Sequence, residues 1–433
     1  MGTFLKSTES TGRNVPKSTE PRAARPRSLR LLNGAGAALR RIGVPLVRLD
    51  ADALLQTARK NAGLTDFGHD AFRAPLARLL ASLERDAQLT LLGRVIARRD
   101  LVRLLENRLR QVELRKQHRE IDGERIERPL FIVGLPRSGT SILHELMAQD
   151  PSNRVPMTWE VMHPFPPPEA ATFDSDPRIA QVDAHFSGID RLLPDFKTMH
   201  PMGARLPQEC VAITQHEFAS MVWHTTNRVP SYQNWLDGAD LRWVYESHKR
   251  WLQVLQWKAP AERWVLKSPG HLWALEALLA VYPDARIVQT HRDPLKVVAS
   301  LVSLVCTLRT LASDAIDPHE IGRDWTQRLA AGLDHATRVR DAAKLPDSQI
   351  FDVPFRAFMA DEIAMVRKIY EHFGMEYTAE AERRMRNFLA QNAADKHGRH
   401  SYDLSLGGLD EPTERKRYAA YQERFAIPSE RMV

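Results

Sequence analysis

Only two cysteines, Cys210 and Cys306, occur in the 433 residues, and neither belongs to a C-x-x-C pair. That excludes a disulfide framework, fits a reducing compartment and leaves two small core residues. No apolar run approaches the ~20 residues of a membrane span, and the basic N-terminus has no hydrophobic stretch behind it of the kind that marks export, so a cytoplasmic protein is expected. The sixteen histidines are scattered, and "HELMA" at His144 begins like a metalloprotease helix but ends in Ala148. With no cluster at zinc spacing, no metal is expected. Net positive charge is also missing from most of the chain. Residues 1–50 hold ten Lys and Arg against three acids, the whole of the formal +7, and the remaining 383 residues sum to zero. A nucleic-acid-binding domain concentrates its charge on the folded body, so nucleic acid is not an expected partner. The Ser/Thr/Pro/Gly-rich leader, residues 1–45, reads as disordered, its charge suited to weak contact with an anionic membrane surface.

What is present is periodicity. A hydrophobic content of 43% in a chain of this length supports a large core. Residues 46–125 contain helical patterns such as "PLARLLASLERDAQ" and "LVRLLENRLRQVELRKQ", apolar at i, i+3, i+4 and i+7. From 126 to 433 apolar strands alternate with helices: "LFIVG", "RWVLKS", "ARIVQTH" and "QIFDVPF" each precede a helical pattern. Such alternation predicts an α/β fold, a parallel sheet with helices on both faces, and places the site outside the carboxyl ends of the strands. An insertion at about 152–262, rich in Pro, Trp and His, is expected to supply much of a substrate pocket.

The segment "PLFIVGLPRSGTSILHELMAQDP", residues 129–151, reads as strand, loop and helix. Gly134, Gly139 and Ser141 keep the spacing of the Walker phosphate loop, but Thr140 stands where its lysine belongs. The strand "RIVQT" runs into His291 and Arg292, without the carboxylate that helps nucleotidases hold magnesium. Backbone amides from Arg137 through Ser138, Gly139, Thr140 and Ser141 still form an anion nest at a helix N-terminus. Such a loop suits one phosphate rather than a magnesium triphosphate.

"PRSGTS" resembles the 5′-phosphosulfate loop of the PAPS-dependent sulfotransferases, and "THRDPLKVVASL", with Arg292 and Ser300 eight residues apart, resembles that family's 3′-phosphate motif. With "WE" after the loop, "WVLKSPGHL", "YPDARIVQTHRDP", "IYEHFGM" and "KHGRHSYDLSLGGLD", the chain is similar over about residues 45–410 to the bacterial branch related to tyrosylprotein sulfotransferases. The resemblance implies a P-loop NTPase-like fold and sulfuryl transfer from PAPS (3′-phosphoadenosine 5′-phosphosulfate) to a hydroxyl or amine, without metal. It assigns Arg137 and Lys267 to the charge that builds on the departing phosphate, and Ser138, Gly139, Thr140 and Ser141 to the 5′-phosphate. Arg292 and Ser300 fall to the 3′-phosphate, and Lys396, His397, Arg399 and His400 to a late loop over the same group. An arginine fork suits phosphate because it binds in two places. Where many members carry a tyrosine near the adenine, this chain has Phe355.

Three residues compete as the base that takes the acceptor's proton. Glu160 follows the loop at about the distance of the family's catalytic glutamate, His271 lies four residues past Lys267, and Glu209 opens an apolar helical stretch. A base must reach the proton, which spacing does not show. "MTWEVMHPFPPPE", "MVWHTT" and "VPSYQNWL" have the character of a pocket lining for an apolar or aromatic small molecule or lipid. The alternatives are a P-loop kinase or NTP-binding protein, opposed by Thr140, and an inactive nucleotide-binding relative, opposed by the joint presence of Arg137, Lys267, Arg292 and Ser300.

Overall fold

Five parallel strands lie at the centre of a computed structural model that describes residues 27–42, 46–192, 202–260, 262–392 and 403–432. They are β1 (Leu130–Gly134), β2 (Asn153–Arg154), β3 (Arg263–Lys267), β4 (Arg286–His291) and β5 (Ile350–Pro354), in the order β2-β3-β1-β4-β5. The four expected strands are present, and β2 is a two-residue addition at the edge. Every residue of β1 is buried, as a strand covered on both faces requires. Phe131 and Val133 pack into one core with Leu252 and Trp325, while Leu130 and Ile132 enter another with Leu143, Phe358 and Tyr370. The pleat thus divides one apolar run between two helical layers.

The strand order puts the phosphate loop in the middle. From β1 the sheet grows to β3 on one side and to β4 on the other, so the carboxyl end of β1 is the topological switch point. Register pairs Ile132 with Lys267 and Gly134 with Thr290, which brings the ends of all three strands to one edge. The insertion leaves beside β2 and returns into β3, and β2 pairs with Arg263 and Trp264 on its far side.

The N-terminal helices Ala51–Ala62, Arg73–Arg85 and Leu91–Gln117 share a core of Leu54, Leu79, Leu104 and Leu105 with Phe218, Trp223 and Tyr232 of the insertion. Asp50 and Thr90 cap two of these helices, accepting from the amides of Ala53 at 2.9 Å and Gly93 at 3.1 Å. Buried Arg108 binds both oxygens of Glu217 at 2.7 Å and fixes the longest of them to the insertion. A further helix, Arg27–Arg41, lies within the stretch expected to be disordered. Its alanines and leucines are strong helix formers, and packing of Gly36 on Leu91 adds the tertiary contact that a short helix needs. Both cysteines are free and buried, and burial pushes their thiols up, Cys306 to about 12. No described helix is long and apolar enough to cross a membrane.

Candidate active site

The turn after β1 is built by its own small residues. Gly134 has φ +143°, and a Cβ there would fall 2.2 Å from Thr290 Oγ1, so only glycine lets β1 and β4 approach this closely. Ser138 spends its hydroxyl inside the turn, donating to the Leu135 carbonyl at 2.5 Å and meeting Thr290 Oγ1 at 2.7 Å. Its side chain therefore shapes the loop. Arg137 is exposed and holds φ +64°, a left-handed conformation that costs a non-glycine residue roughly 1 kcal/mol or more. Thr140 is buried and Ser141 exposed at the start of the helix Thr140–Met147.

Lys267 closes one side of this loop. It is 3% exposed at the end of β3, and its Nζ donates to Ser141 Oγ at 3.1 Å and to Glu209 Oε1 at 2.5 Å. Glu209 reaches it from the insertion, which runs along the segment after β2: the amide of Gln208 donates to the Pro156 carbonyl at 2.7 Å and that of Thr158 to the Leu206 carbonyl at 3.0 Å. Although Glu209 occupies an N-cap position, its side chain makes no capping bond, and its carboxylate stays partly open to solvent.

Arg292 closes the other side. Its NH1 donates to the Arg137 carbonyl at 2.8 Å, and its guanidinium lies 4.0 Å from the ring centre of Phe355. Phe355 also lines the loop, 3.3 Å from where a Cβ of Gly139 would stand. The rest of the fork is held by Glu430, with Nε to Oε1 at 3.0 Å and NH2 to Oε2 at 3.2 Å. Nothing local in the sequence marks Glu430, which comes from a tail fixed by Asp293, whose Oδ2 accepts from the Glu430 amide at 2.6 Å. Ser300 is buried in the helix Pro294–Arg309. Lys396, His397, Arg399 and His400 lie outside the described residues.

The remaining base candidates are placed very differently. Glu160 has no exposed surface: Arg154 takes both of its oxygens, at 2.9 and 2.7 Å, and the Met157 amide donates to Oε1 at 2.8 Å. His271 is equally enclosed, its Nδ1 2.6 Å from the Tyr245 hydroxyl, and burial holds its pKa well below the usual histidine range. A mainly apolar cavity adjoins the Lys267–Glu209 pair through Cys210 and Ser268 and is walled by Val211, Met221, Leu241 and Trp273. Two polar atoms on its lining, His271 Nε2 and Gln233 Oε1, are buried without a hydrogen-bond partner. Of the three segments expected to line a pocket, "MVWHTT" supplies Met221 and "VPSYQNWL" supplies Gln233 and Leu236, whereas "MTWEVMHPFPPPE" contributes nothing to this lining, and the tryptophan of the cavity is Trp273, outside all three. Among the described residues no group of His, Cys, Asp and Glu is arranged to hold a metal ion.

A central loop of phosphate-binding type, without the Walker lysine, is thus flanked by Lys267 at the end of β3 and by Arg292 directly after β4. The chain belongs to the sulfotransferase family, whose sequence profile matches residues 129–379. It is an enzyme of that family, a sulfotransferase. The crystal structure of sulfotransferase STF1 from Mycobacterium tuberculosis superposes with a TM-score of 0.77 at 34% identity, covering 86% of this chain and 98% of the other. STF9 from Mycobacterium avium gives 0.81 at 32% identity over 88% and 98%. The omega-hydroxy-beta-dihydromenaquinone-9 sulfotransferase Stf3 of Mycobacterium bovis is 24% identical, over 64% of this chain and 70% of the relative.

Proposed function

We propose that the enzyme moves the sulfuryl group of PAPS to a hydroxyl of an apolar acceptor, with Lys267 and Arg137 at the departing phosphate, Arg292 and Ser300 at the 3′-phosphate, and Glu209 as the base. The observation that carries this reading is the Lys267–Glu209 pair, which sets a cation against Ser141 of the phosphate loop and a carboxylate one residue from Cys210 in the lining of an apolar cavity. The acceptor oxygen bonds to sulfur as the bond from sulfur to the bridging phosphate oxygen breaks. The products are a sulfate ester and adenosine 3′,5′-bisphosphate, and the acceptor's proton passes to the carboxylate. Negative charge grows on the leaving oxygen, and a preorganised cation there is worth a few kcal/mol.

The Glu209 carboxylate and the donor's anionic oxygens compete for the same ammonium. A donor oxygen at Lys267 therefore loosens Glu209 from its pair and frees it for the acceptor. Glu430 stands to Arg292 in the same relation, as a carboxylate that a 3′-phosphate must replace. Glu160 is assigned to structure: a carboxylate with Arg154 on both oxygens and no exposed surface is a buried ion pair rather than a poised base. The acceptor reading draws on the cavity's Trp, Met and Leu lining and on the menaquinone-type acceptor named for the mycobacterial relative.

Radiolabelled PAPS incubated with a panel of hydroxylated isoprenoid quinones, sterols and phenols tests the proposal. Label is expected in an apolar alcohol or phenol at a rate that EDTA leaves unchanged, because Thr140 replaces the Walker lysine and the acid that follows β4, buried Asp293, is already bound by Arg415 and the Glu430 amide. Loss of transfer on chelation with rescue by magnesium, or phosphoryl transfer from ATP instead, would favour a kinase.

A further inference from the structure

The helix Arg27–Arg41 rests on the body through one side and leaves the other bare. An added Cβ at Gly36 would fall 2.8 Å from Leu91 Cβ, and buried Asn33 accepts from the Leu92 amide at 3.2 Å, so these residues mark the face turned to the helix Leu91–Gln117. Leu31, Ala35, Ala38 and Ile42 recur at i, i+4, i+7 and i+11, the spacing of one helical stripe, and all four are exposed. The large apolar side chains most exposed among the described residues gather here: Leu31 (75%), Leu32 (58%), Ile42 (73%) and Leu46 (56%), with Val95 (47%) on the helix beneath. Isolated exposed leucines need no explanation, but five in one region form a patch of the kind that marks an interaction site.

The charge of this region identifies the partner. Residues 21–49 contain seven arginines and no acid, in a chain that is neutral beyond residue 50. Arg40 and Arg48 are exposed beside the stripe, and Arg99 is exposed on the neighbouring helix. Arginines next to bare leucines on a short helix are the composition of an element that lies in a bilayer interface, with apolar side chains among the upper acyl chains and guanidinium groups at the phosphates. A protein partner of complementary shape would meet the leucines equally well, but the excess of arginine, of which Arg40 is also held by Glu84 at 3.3 Å, favours an anionic lipid surface.

We propose that the helix Arg27–Arg41, with Ile42 and residues 46–48, docks the enzyme on anionic bilayers, with Leu31, Leu32, Ile42 and Leu46 inserted and the exposed Arg40 and Arg48 at the headgroups. The docking does not depend on which acceptor is used. Neither apolar burial nor attraction needs to be strong alone, since two weak signals together make a stable anchor.

Sedimentation of the full chain with vesicles tests this, using phosphatidylcholine alone and phosphatidylcholine with one quarter phosphatidylglycerol. Binding to the anionic vesicles is expected to be about 10-fold tighter or more and to weaken with added salt, because exposed charges are screened. Leu31→Glu with Ile42→Glu should lower vesicle affinity by about 10-fold or more, while the affinity for adenosine 3′,5′-bisphosphate stays as in the parent. Should the double variant lose bisphosphate binding through misfolding, Leu31→Ser at its exposed position carries the same comparison. Equal or absent binding to both vesicle types, or unchanged binding by the variants, overturns the proposal. So does a wild-type dimer that the variants convert to monomer without any vesicle binding, which would make the stripe a contact between copies.

Discussion

Glu209→Gln is expected to lower turnover by about 10²- to 10⁴-fold, the range over which a general base contributes, while leaving bisphosphate affinity within a few-fold of the parent. The substitution keeps the shape of the side chain and its place beside Lys267, but it removes the group that would receive the proton. Glu160→Gln should behave in the opposite way. It leaves Arg154 buried without its counter-charge, which costs about 3–5 kcal/mol, so the melting temperature should fall while the folded fraction turns over at near the parental rate. Turnover at saturating donor, normalised to folded protein, separates the two. A Glu160 variant that folds normally and is inactive, beside an active Glu209 variant, would return the role to Glu160. A fold-intact His271→Gln variant that alone loses turnover would transfer it to the histidine.

Acid should unfold the protein well before its carboxylates titrate. Burial holds the imidazoles of His144, His216 and His248 down at about 3, and that of His271 well below the usual range. In the unfolded chain each takes a proton near pH ~6.5. The unfolded state therefore binds more protons as the pH drops, and stability present above pH ~6.5 is lost below it. At pH 5.5 each histidine contributes about 1.4 kcal/mol of this loss, and the four together on the order of 5 kcal/mol, a large part of a typical domain's stability. For a chain of this length that is a fall in melting temperature of about 5 °C between pH 7.5 and 5.5. Asp352 acts in the same sense: burial alone would raise its pKa, but hydrogen bonds from His291 and Arg340 hold it far below the usual range, so acid removes that contribution too. A flat melting curve across pH 7.5 to 5.5 would show that these imidazoles are charged or solvated in the folded state.

How far the sequence reveals this site follows from how local each piece is. The phosphate loop and the Arg292 turn are contiguous motifs, each a strand end followed by a helix start, and their order along the chain fixes their places on the sheet edge. Lys267 is legible for the same reason, as the last residue of an apolar strand. The partners of these residues are not. Glu209 is 58 residues from Lys267 and Glu430 is 138 from Arg292, and no periodicity states which insertion segment or tail will cover a given strand end. Spacing alone favours Glu160 as the base and gives no sign of its pairing with Arg154, six residues upstream, which the fold makes where strand β2 gives way to a short helix. The two-residue strand β2 is too short for any alternation to show. The helix Arg27–Arg41 is hidden for a different reason, since a basic, small-residue composition reads as a solvated leader until Gly36 is seen against Leu91.

The most direct measurement is calorimetric titration of the enzyme with adenosine 3′,5′-bisphosphate and with AMP, which differ only in the group assigned to Arg292. The bisphosphate is expected to bind at least about 10-fold more tightly, as a two-point charge-assisted pair worth about 1.5–3 kcal/mol requires. Arg292→Ala should abolish most of that preference. Glu430→Gln should strengthen bisphosphate binding, because the carboxylate that occupies the arginine fork no longer competes for it. Equal affinity of the wild-type enzyme for the two nucleotides would contradict a 3′-phosphate site at Arg292 and with it the assignment of PAPS as the donor.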